Sequence, residues 1–272
     1  MAEHLRTKLI RNSVLNLFNN AIIFATTWIL SIWVARQLGP TSYGVFTLVL
    51  WLSGTVSWAV GMGLIHAVTK FVAEYRGRND ASMTIPVVMF VLRIEILISL
   101  GVTVILVFFR TPIADFFFSP KESFYFFLSF LGLLPGVICA IFSATIQGIQ
   151  KFEYFTLSTL IISPLSLASK LIALALGAGI EGQLTVMLIF SFINVLFYWI
   201  VLRKEGVHLA WRSGLTKELR KRIGSYNASV SAILVCDKIV WDKSENFFLG
   251  RLCSASEIGF YNLGFNLVQR IT

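Results

Sequence analysis

Long apolar runs alternate with short polar ones along the whole chain. Seven runs, at about 13–35, 44–66, 85–109, 124–146, 157–178, 184–202 and 225–249, approach the roughly 20 residues that a helix needs to cross the hydrocarbon core of a bilayer. An eighth opens near Gly259, and the sequence ends inside it. The pattern predicts an all-α fold, a polytopic transmembrane helical bundle. The first run is too long for the apolar core of a cleavable secretory signal, so it is read as an uncleaved first span.

Several of these spans carry polar residues on one face. Successive helical residues advance about 100° around the axis. In "VCDKIVWDKSENFFLG" (235–250) this puts Asp237, Lys238, Trp241, Asp242 and Glu245 in one sector, together with Asn227, Ser231 and Leu234. Lys238 and Asp242 are four apart and predicted to neutralise each other; Lys243 lies outside the sector, near enough to the end to snorkel. In span one Asn12, Asn16, Asn19, Asn20 and Thr27 share a face, and in span five Thr159, Ser163, Ser166 and Lys170 do. Arg93 and Glu95 in span three point about 200° apart, which argues against a direct pair.

A lone charge at the bilayer centre costs at least about 2.5–3.5 kcal/mol, so such residues face a bundle interior or a wet cavity. Buried pairs that only fix packing are one reading of these stripes. Stripes on at least three helices point instead to a shared hydrophilic cavity. Span four carries a different signal: Gly132, Gly136, Ala140 and Ala144 form a small-residue ridge that lets helices approach. Pro135 and Pro164 are predicted to bend their spans, as hinges or simply to shape the bundle.

Composition agrees with the pattern. Residues are 56% hydrophobic and 14% charged, against about 25% charged in soluble domains. The net charge of +9 is explained by where the cations lie. Placing the N-terminus in the cytoplasm puts fourteen on that side: Arg6, Lys8, Arg11, Lys70, Arg76, Arg78, Lys151, Arg203, Lys204, Arg212, Lys217, Arg220, Lys221 and Arg222. The other side has four, Arg36, Arg110, Lys121 and Arg251. Cytoplasmic loops carry the excess of Lys and Arg, so no nucleic acid partner is needed.

"SGLTKELRKRIG" (213–224) reads equally as an amphipathic surface helix or as a basic connector. The Phe-rich stretch 108–127 reads as an interfacial anchor. Cys139, Cys236 and Cys253 have no paired or metal-ligand spacing. No phosphate-binding loop, metal cluster or nucleophile beside a histidine is present, and the outward loops are short. A non-enzyme without a bound cofactor is expected, with a membrane-embedded glycan polymerase or ligase as the alternative from another class.

"LGPTSYGVFTLVLWL" (from Leu38) and "LCSASEIGFYNLGFNLV" (from Leu252) share a pattern in which Gly44, Val45, Phe46 and Leu48 match Gly259, Phe260, Tyr261 and Leu263. The copies are six spans apart and so have the same orientation, as in parallel transporter repeats. The expected organisation is a six-helix lobe (1–202), a basic cytoplasmic connector (203–224) and the first one to two helices of a second lobe (225–272). The sequence is expected to be a fragment of a longer one; pairing of two chains and an inactive product are the alternatives.

"VARQLGPTSYGVFTL" (34–48), "IQGIQKFEYF" (146–155) and "IVWDKSENFFLGRLCSASEIGFYNLGFNLV" (239–268) resemble the polysaccharide-biosynthesis flippases of the multidrug/oligosaccharidyl-lipid/polysaccharide exporter superfamily. The resemblance implies two lobes around a central cavity. It also implies ATP-independent transfer of lipid-linked oligosaccharides across the bacterial inner membrane. The implied partners are membrane lipids, a polyprenyl-pyrophosphate-linked oligosaccharide and other polysaccharide-assembly proteins. Arg93, Lys170 and Lys238 are then candidates for an anionic head, since Lys and Arg pair with phosphate oxygens. Glu95, Asp237, Asp242 and Glu245 are candidates for a coupling proton or sodium ion, and Asn16, Asn19, Asn20, Thr159, Ser163, Ser166, Asn227 and Ser231 for the cavity lining. A peptidoglycan-precursor flippase and a cation-coupled drug exporter are the alternatives within the superfamily.

Overall fold

The computed structural model describes residues 2–209, 214–241 and 245–268, with side chains for all of these except 2–13, 15, 16, 18, 239–241 and 266–268. Every regular element described is helical: α1 (Ala2–Val60), α2 (Leu64–Gly77), α3 (Thr84–Phe108), α4 (Arg110–Phe117), α5 (Ser123–Leu131), α6 (Leu133–Gly148), α7 (Phe152–Ala175), α8 (Gly179–Lys204), α9 (Lys217–Trp241), α10 (Glu245–Leu252) and α11 (Ala255–Val268). Among the described residues, five stretches are long and apolar enough to span a membrane: Asn19–Val60, Ala81–Phe108, Pro120–Gly148, Phe152–Ala175 and Gly179–Lys204. The chain is a multi-pass helical membrane protein.

The first stretch has 42 residues, about 63 Å of helix at 1.5 Å per residue, twice the roughly 30 Å core. It folds back at Gly39, whose φ of 73° favours glycine, and Pro40 opens the second leg, where its missing N–H costs nothing. The direction of each leg follows from its neighbours. Ile23–Leu30 share a cavity with Ile162–Lys170 of α7, whereas Leu50–Ser57 share one with Leu184–Ser191 of α8. Because α7 ends and α8 begins at the same turn, the first leg runs toward that turn and the second away from it. These legs are the predicted spans one and two.

Two apolar clusters hold the bundle, one near each end. The Gly39 end buries Val34, Phe46 and Val49 of α1 with Phe126 and Phe130 of α5, Leu174 of α7 and Leu184 of α8. At the other end Val68 and Phe71 of α2 pack with Val88 and Val91 of α3, Ile141 of α6, Leu202 of α8 and Ile223 of α9. That second end carries most of the cations, among them Arg78 and Arg222, which both pair with Glu74 at 2.8 and 2.9 Å.

Several sequence expectations change. Residues 67–77, expected in a loop, form most of α2, because Ala67, Val68, Phe71 and Val72 make a fully buried helical stripe. Residues 217–224, expected in the connector, are the first turns of α9. Leu215, Leu219 and Ile223 enter the cluster at the basic end, which excludes a surface helix there. Predicted span four is interrupted between α5 and α6 at Gly132, because the ring of Pro135 would meet a helical carbonyl at Leu131, four residues before it. Its close approach to α2 runs through Ala144, whose carbonyl accepts from Thr69 Oγ1 at 3.3 Å, and Gly148, where a β-carbon would lie 2.8 Å from Val72, and not through Gly136, where one would meet nothing within 4 Å. Predicted span seven includes α9 up to Trp241 and α10 from Glu245, and residues 242–244 lie outside those described. The Phe-rich stretch 108–127 splits: Phe126 is fully buried, while Phe108 and Phe116 are exposed.

The two copies of the sequence repeat meet. A β-carbon on Gly44 would stand 1.7 Å from the carbonyl oxygen of Ala255, and one on Gly259 would stand 2.4 Å from that of Pro40. Pro40 precedes Gly44 by the interval at which Ala255 precedes Gly259, so the contact is reciprocal, as a twofold relation demands. Position matches too: Gly39 and Ser254 each stand immediately before the helix that carries their copy's glycine. Ser254 caps α11 in a reciprocal box with Glu257. Its N–H and Oγ–H donate to the Glu257 carboxylate at 2.7 and 2.8 Å, and the Glu257 N–H donates to its Oγ at 3.4 Å.

Candidate functional site

At mid-height between the two apolar clusters, the first leg of α1, α7 and α8 frame an open-sided cavity of about 210 Å³. Its polar lining is Thr26 and Thr27 from α1, Ser163, Ser166 and Lys170 from α7, and Asn194 from α8. The helical spacing of Ser163, Ser166 and Lys170 puts all three on one face of α7. Thr26 and Thr27 spend their hydroxyl protons on the carbonyls of Ile22 and Ile23, at 2.8 and 2.6 Å, which leaves oxygen lone pairs toward the cavity. Asn194 is fixed from both sides: its Nδ2 donates to Phe190 O at 2.9 Å and its Oδ1 accepts from Ser158 Oγ at 3.1 Å. Gln183, fully buried, donates from Nε2 to Lys170 O at 2.8 Å and so holds the last turns of α7 against α8.

The electrostatics of this cavity are one-sided. No carboxylate is among its lining residues, and among the described residues no acid lies within ion-pair distance of Lys170. A cation facing hydroxyl and amide groups accepts an anionic or sugar-like group. The volume lies below the roughly 300–1,000 Å³ of sites that enclose a drug-sized ligand. One phosphate or one sugar ring fits its scale; a whole oligosaccharide does not.

The remaining candidates are dispersed. Thr159, on the same α7 face, is buried below the cavity, and Asn19 is 1% exposed with its Oδ1 unbonded. Asn20 is exposed, and the side chain of Asn16 lies outside those described. Asn227 and Ser231 sit at the break between α1 and α2. Ser231 Oγ donates to Met62 O at 3.2 Å, and a β-carbon on Gly63 would be 2.3 Å from Asn227 Oδ1. Lys238 is half-buried, its Nζ 5.1 Å from the centre of the Trp58 ring. Asp237 and Glu245 are exposed, and Asp242 lies outside the described residues, as does its expected pairing with Lys238. Arg93 is half-buried on α3; Glu95 is fully buried there. Thr27 of the span-one stripe and Ser163, Ser166 and Lys170 of the span-five stripe therefore share a cavity, but its third wall is span six, and among the described residues none of the span-seven stripe joins it.

Several polar groups escaped the sequence reading. Asn194 and Ser158 belong to this site, and an asparagine inside an otherwise apolar span was the available signal. A second cavity, of about 200 Å³, lies on the other side of α8 and is lined by Ser53, Ser57, Ser129 and Ser191. Ser53 and Ser129 share a hydrogen bond of 2.5 Å. Asn246 and Asn262, both buried, exchange side-chain hydrogen bonds of 2.9 and 3.4 Å between α10 and α11.

The sequence profile of the family described as "Polysaccharide biosynthesis protein" matches residues 9–272. The chain belongs to that family. It is also similar in fold to a MOP superfamily transporter from Pyrococcus furiosus, a protein described for the reverse polarity of its binding pocket, with a TM-score of 0.70 and 18% sequence identity. The similarity covers 83% of this chain and 52% of the archaeal one, so the chain spans about half the length of that transporter. No curated protein matches the chain.

Proposed function

We propose that this member of the polysaccharide biosynthesis family takes part in flipping lipid-linked oligosaccharide units across a bacterial inner membrane, with its N-terminus in the cytoplasm. The observation that carries the reading is Lys170: a cation in the last turns of a membrane-spanning helix, at a cavity lined by hydroxyls and an amide and, among the described residues, by no acid. Charge-assisted hydrogen bonds to phosphate are stronger than neutral ones, and a polyprenyl pyrophosphate headgroup offers both phosphate and sugar hydroxyls. The limited volume fits one group of such a head at a time, with the rest held by helices that complete the path. An acid-free lining fits a cationic drug poorly. The reading couples the transfer to an ion gradient, of protons or sodium, rather than to ATP, for which the sequence has no binding loop.

The test is polysaccharide output in cells that express the natural protein with Lys170→Ala, Lys170→Arg or Lys170→Glu. Arg should retain surface polysaccharide, while Ala and Glu should lower it at unchanged protein abundance. Normal output from the Glu variant would remove Lys170 from the path.

A further inference from the structure

Glu95 takes no part in the Lys170 cavity. It lies near the middle of α3, is 0% exposed, and neither carboxylate oxygen has a hydrogen-bond partner. The next two turns of the same face carry Ser99, at 0% exposure, and Thr103, at 8%, whose Oγ1 is also unpartnered. The opposite side of α3 presents Leu97, Leu100, Val104 and Ile105 outward. A polar stripe thus runs along the inner face of a span, with its acid at the level between the two apolar clusters.

Among the described residues, no ionisable neighbour neutralises Glu95. The helices packed against α3 carry Arg36 and Tyr43 on α1, His66, Lys70, Glu74, Tyr75 and Arg76 on α2, Arg110 and Asp115 on α4, Tyr125 on α5 and Cys139 on α6. None of them bonds or ion-pairs with Glu95. Lys70 stands over the Tyr226 ring at 3.8 Å, and Glu74 is taken up by Arg78 and Arg222. Arg93 leaves α3 about 200° away. An ionised carboxylate does not persist in a dry interior without a partner.

From this geometry we infer that Glu95 is a proton-binding site that reports whether the bundle is open. The arrangement described here holds the group as the neutral acid. The O–H bond breaks, and the proton passes to water, when a rearrangement admits water along Ser99 and Thr103. This deepens the transport reading and rests on it only for the use of the proton as the driving ion.

Two measurements on the protein in lipid bilayers test it. Infrared difference spectra between acid and alkaline buffer should contain a carboxylic-acid carbonyl band that Glu95→Gln lacks and Glu95→Asp displaces. In a variant with Ser99→Cys and with Cys139 and Cys253 replaced, labelling at position 99 is measured as a ratio to the exposed Cys236. That ratio should rise about tenfold per pH unit while one proton is released, and Glu95→Gln should flatten it. A band that persists in Glu95→Gln, a ratio independent of pH, or one that follows sodium at fixed pH would each overturn the assignment. If Glu95→Gln does not fold, the displaced band of Glu95→Asp and the Ser99→Cys ratio decide. Lys170→Ala should leave both signals intact, so failure of the cavity reading and failure of this one are told apart.

Discussion

Gly44 and Gly259 face each other so closely that a β-carbon on Gly259 would stand 3.3 Å from the Gly44 amide nitrogen and 2.4 Å from the Pro40 carbonyl oxygen. The second leg of α1 and α11 cross there backbone to backbone. Small residues allow such a crossing in a membrane, where dispersion rather than water exclusion joins helices. Replacing either glycine by alanine should push the two helices apart at a cost of about 1–3 kcal/mol, the range for overpacking. Thermal unfolding followed by tryptophan fluorescence measures it. The double variant should cost less than the two singles together, because one separation relieves both clashes; strict additivity would mean that the glycines do not share a contact.

Asn246 and Asn262 tie α10 to α11 by a pair of hydrogen bonds in a buried setting. Removing Asn262 leaves the buried Asn246 amide without its partner, at about 1–3 kcal/mol, whereas removing Asn246 leaves Asn262 its bond from Nδ2 to Ile258 O at 3.1 Å. Asn262→Ala should lower stability by that order and Asn246→Ala by less. The double variant should be little worse than Asn262→Ala alone, and a double-mutant cycle in unfolding experiments reads the coupling directly.

The sequence carried the spans because lipid demands long apolar runs, and it carried the α7 stripe because Thr159, Ser163, Ser166 and Lys170 repeat at helical spacing. The facing wall was hidden. Asn194 is a single polar residue in α8, and periodicity cannot say which neighbour it meets. Span seven misled for a related reason. Its charges share a sector of one ideal helix, but among the described residues Asp237 and Glu245 are exposed and Lys238 stands over Trp58. Residues 67–77 were missed because Lys70, Glu74 and Arg76 lower the hydropathy of a helix whose inner stripe is fully apolar. The repeat was visible as a weak pattern around Gly44 and Gly259; only the reciprocal contact fixed its register.

Glu257 gives a pH dependence with a defined sign. The Ser254 N–H, and then the Ser254 hydroxyl, hold its carboxylate below the ordinary glutamate range. A group whose folded value is depressed stabilises the folded state fully above its unfolded value, about 4.3 for glutamate, and the stabilisation is lost as pH falls through the lower folded value. Glu257→Gln should therefore lose little at acid pH and most near neutrality. Melting curves of the two proteins should converge as the medium is acidified; a gap that widens toward low pH would contradict the capping geometry.

The cavity itself predicts a pattern of water access. With Cys139, Cys236 and Cys253 replaced by serine, cysteines at Thr27, Ser163 and Ser166 should react with a charged thiol reagent, since these side chains line the open volume beside Lys170. Cysteines at Ser158 and Thr159, 3% and 7% exposed on the same helix, should stay protected. Gln183→Leu removes the hydrogen bond that holds Lys170 O to α8 and leaves that carbonyl without its side-chain donor. The last turns of α7 should then loosen, and labelling at Ser166 should rise relative to Ser163, which lies farther from the lost tether. Equal reactivity at all five positions would mean that water reaches the whole of α7, and the lysine would then sit in an open channel rather than at the end of a bounded cavity.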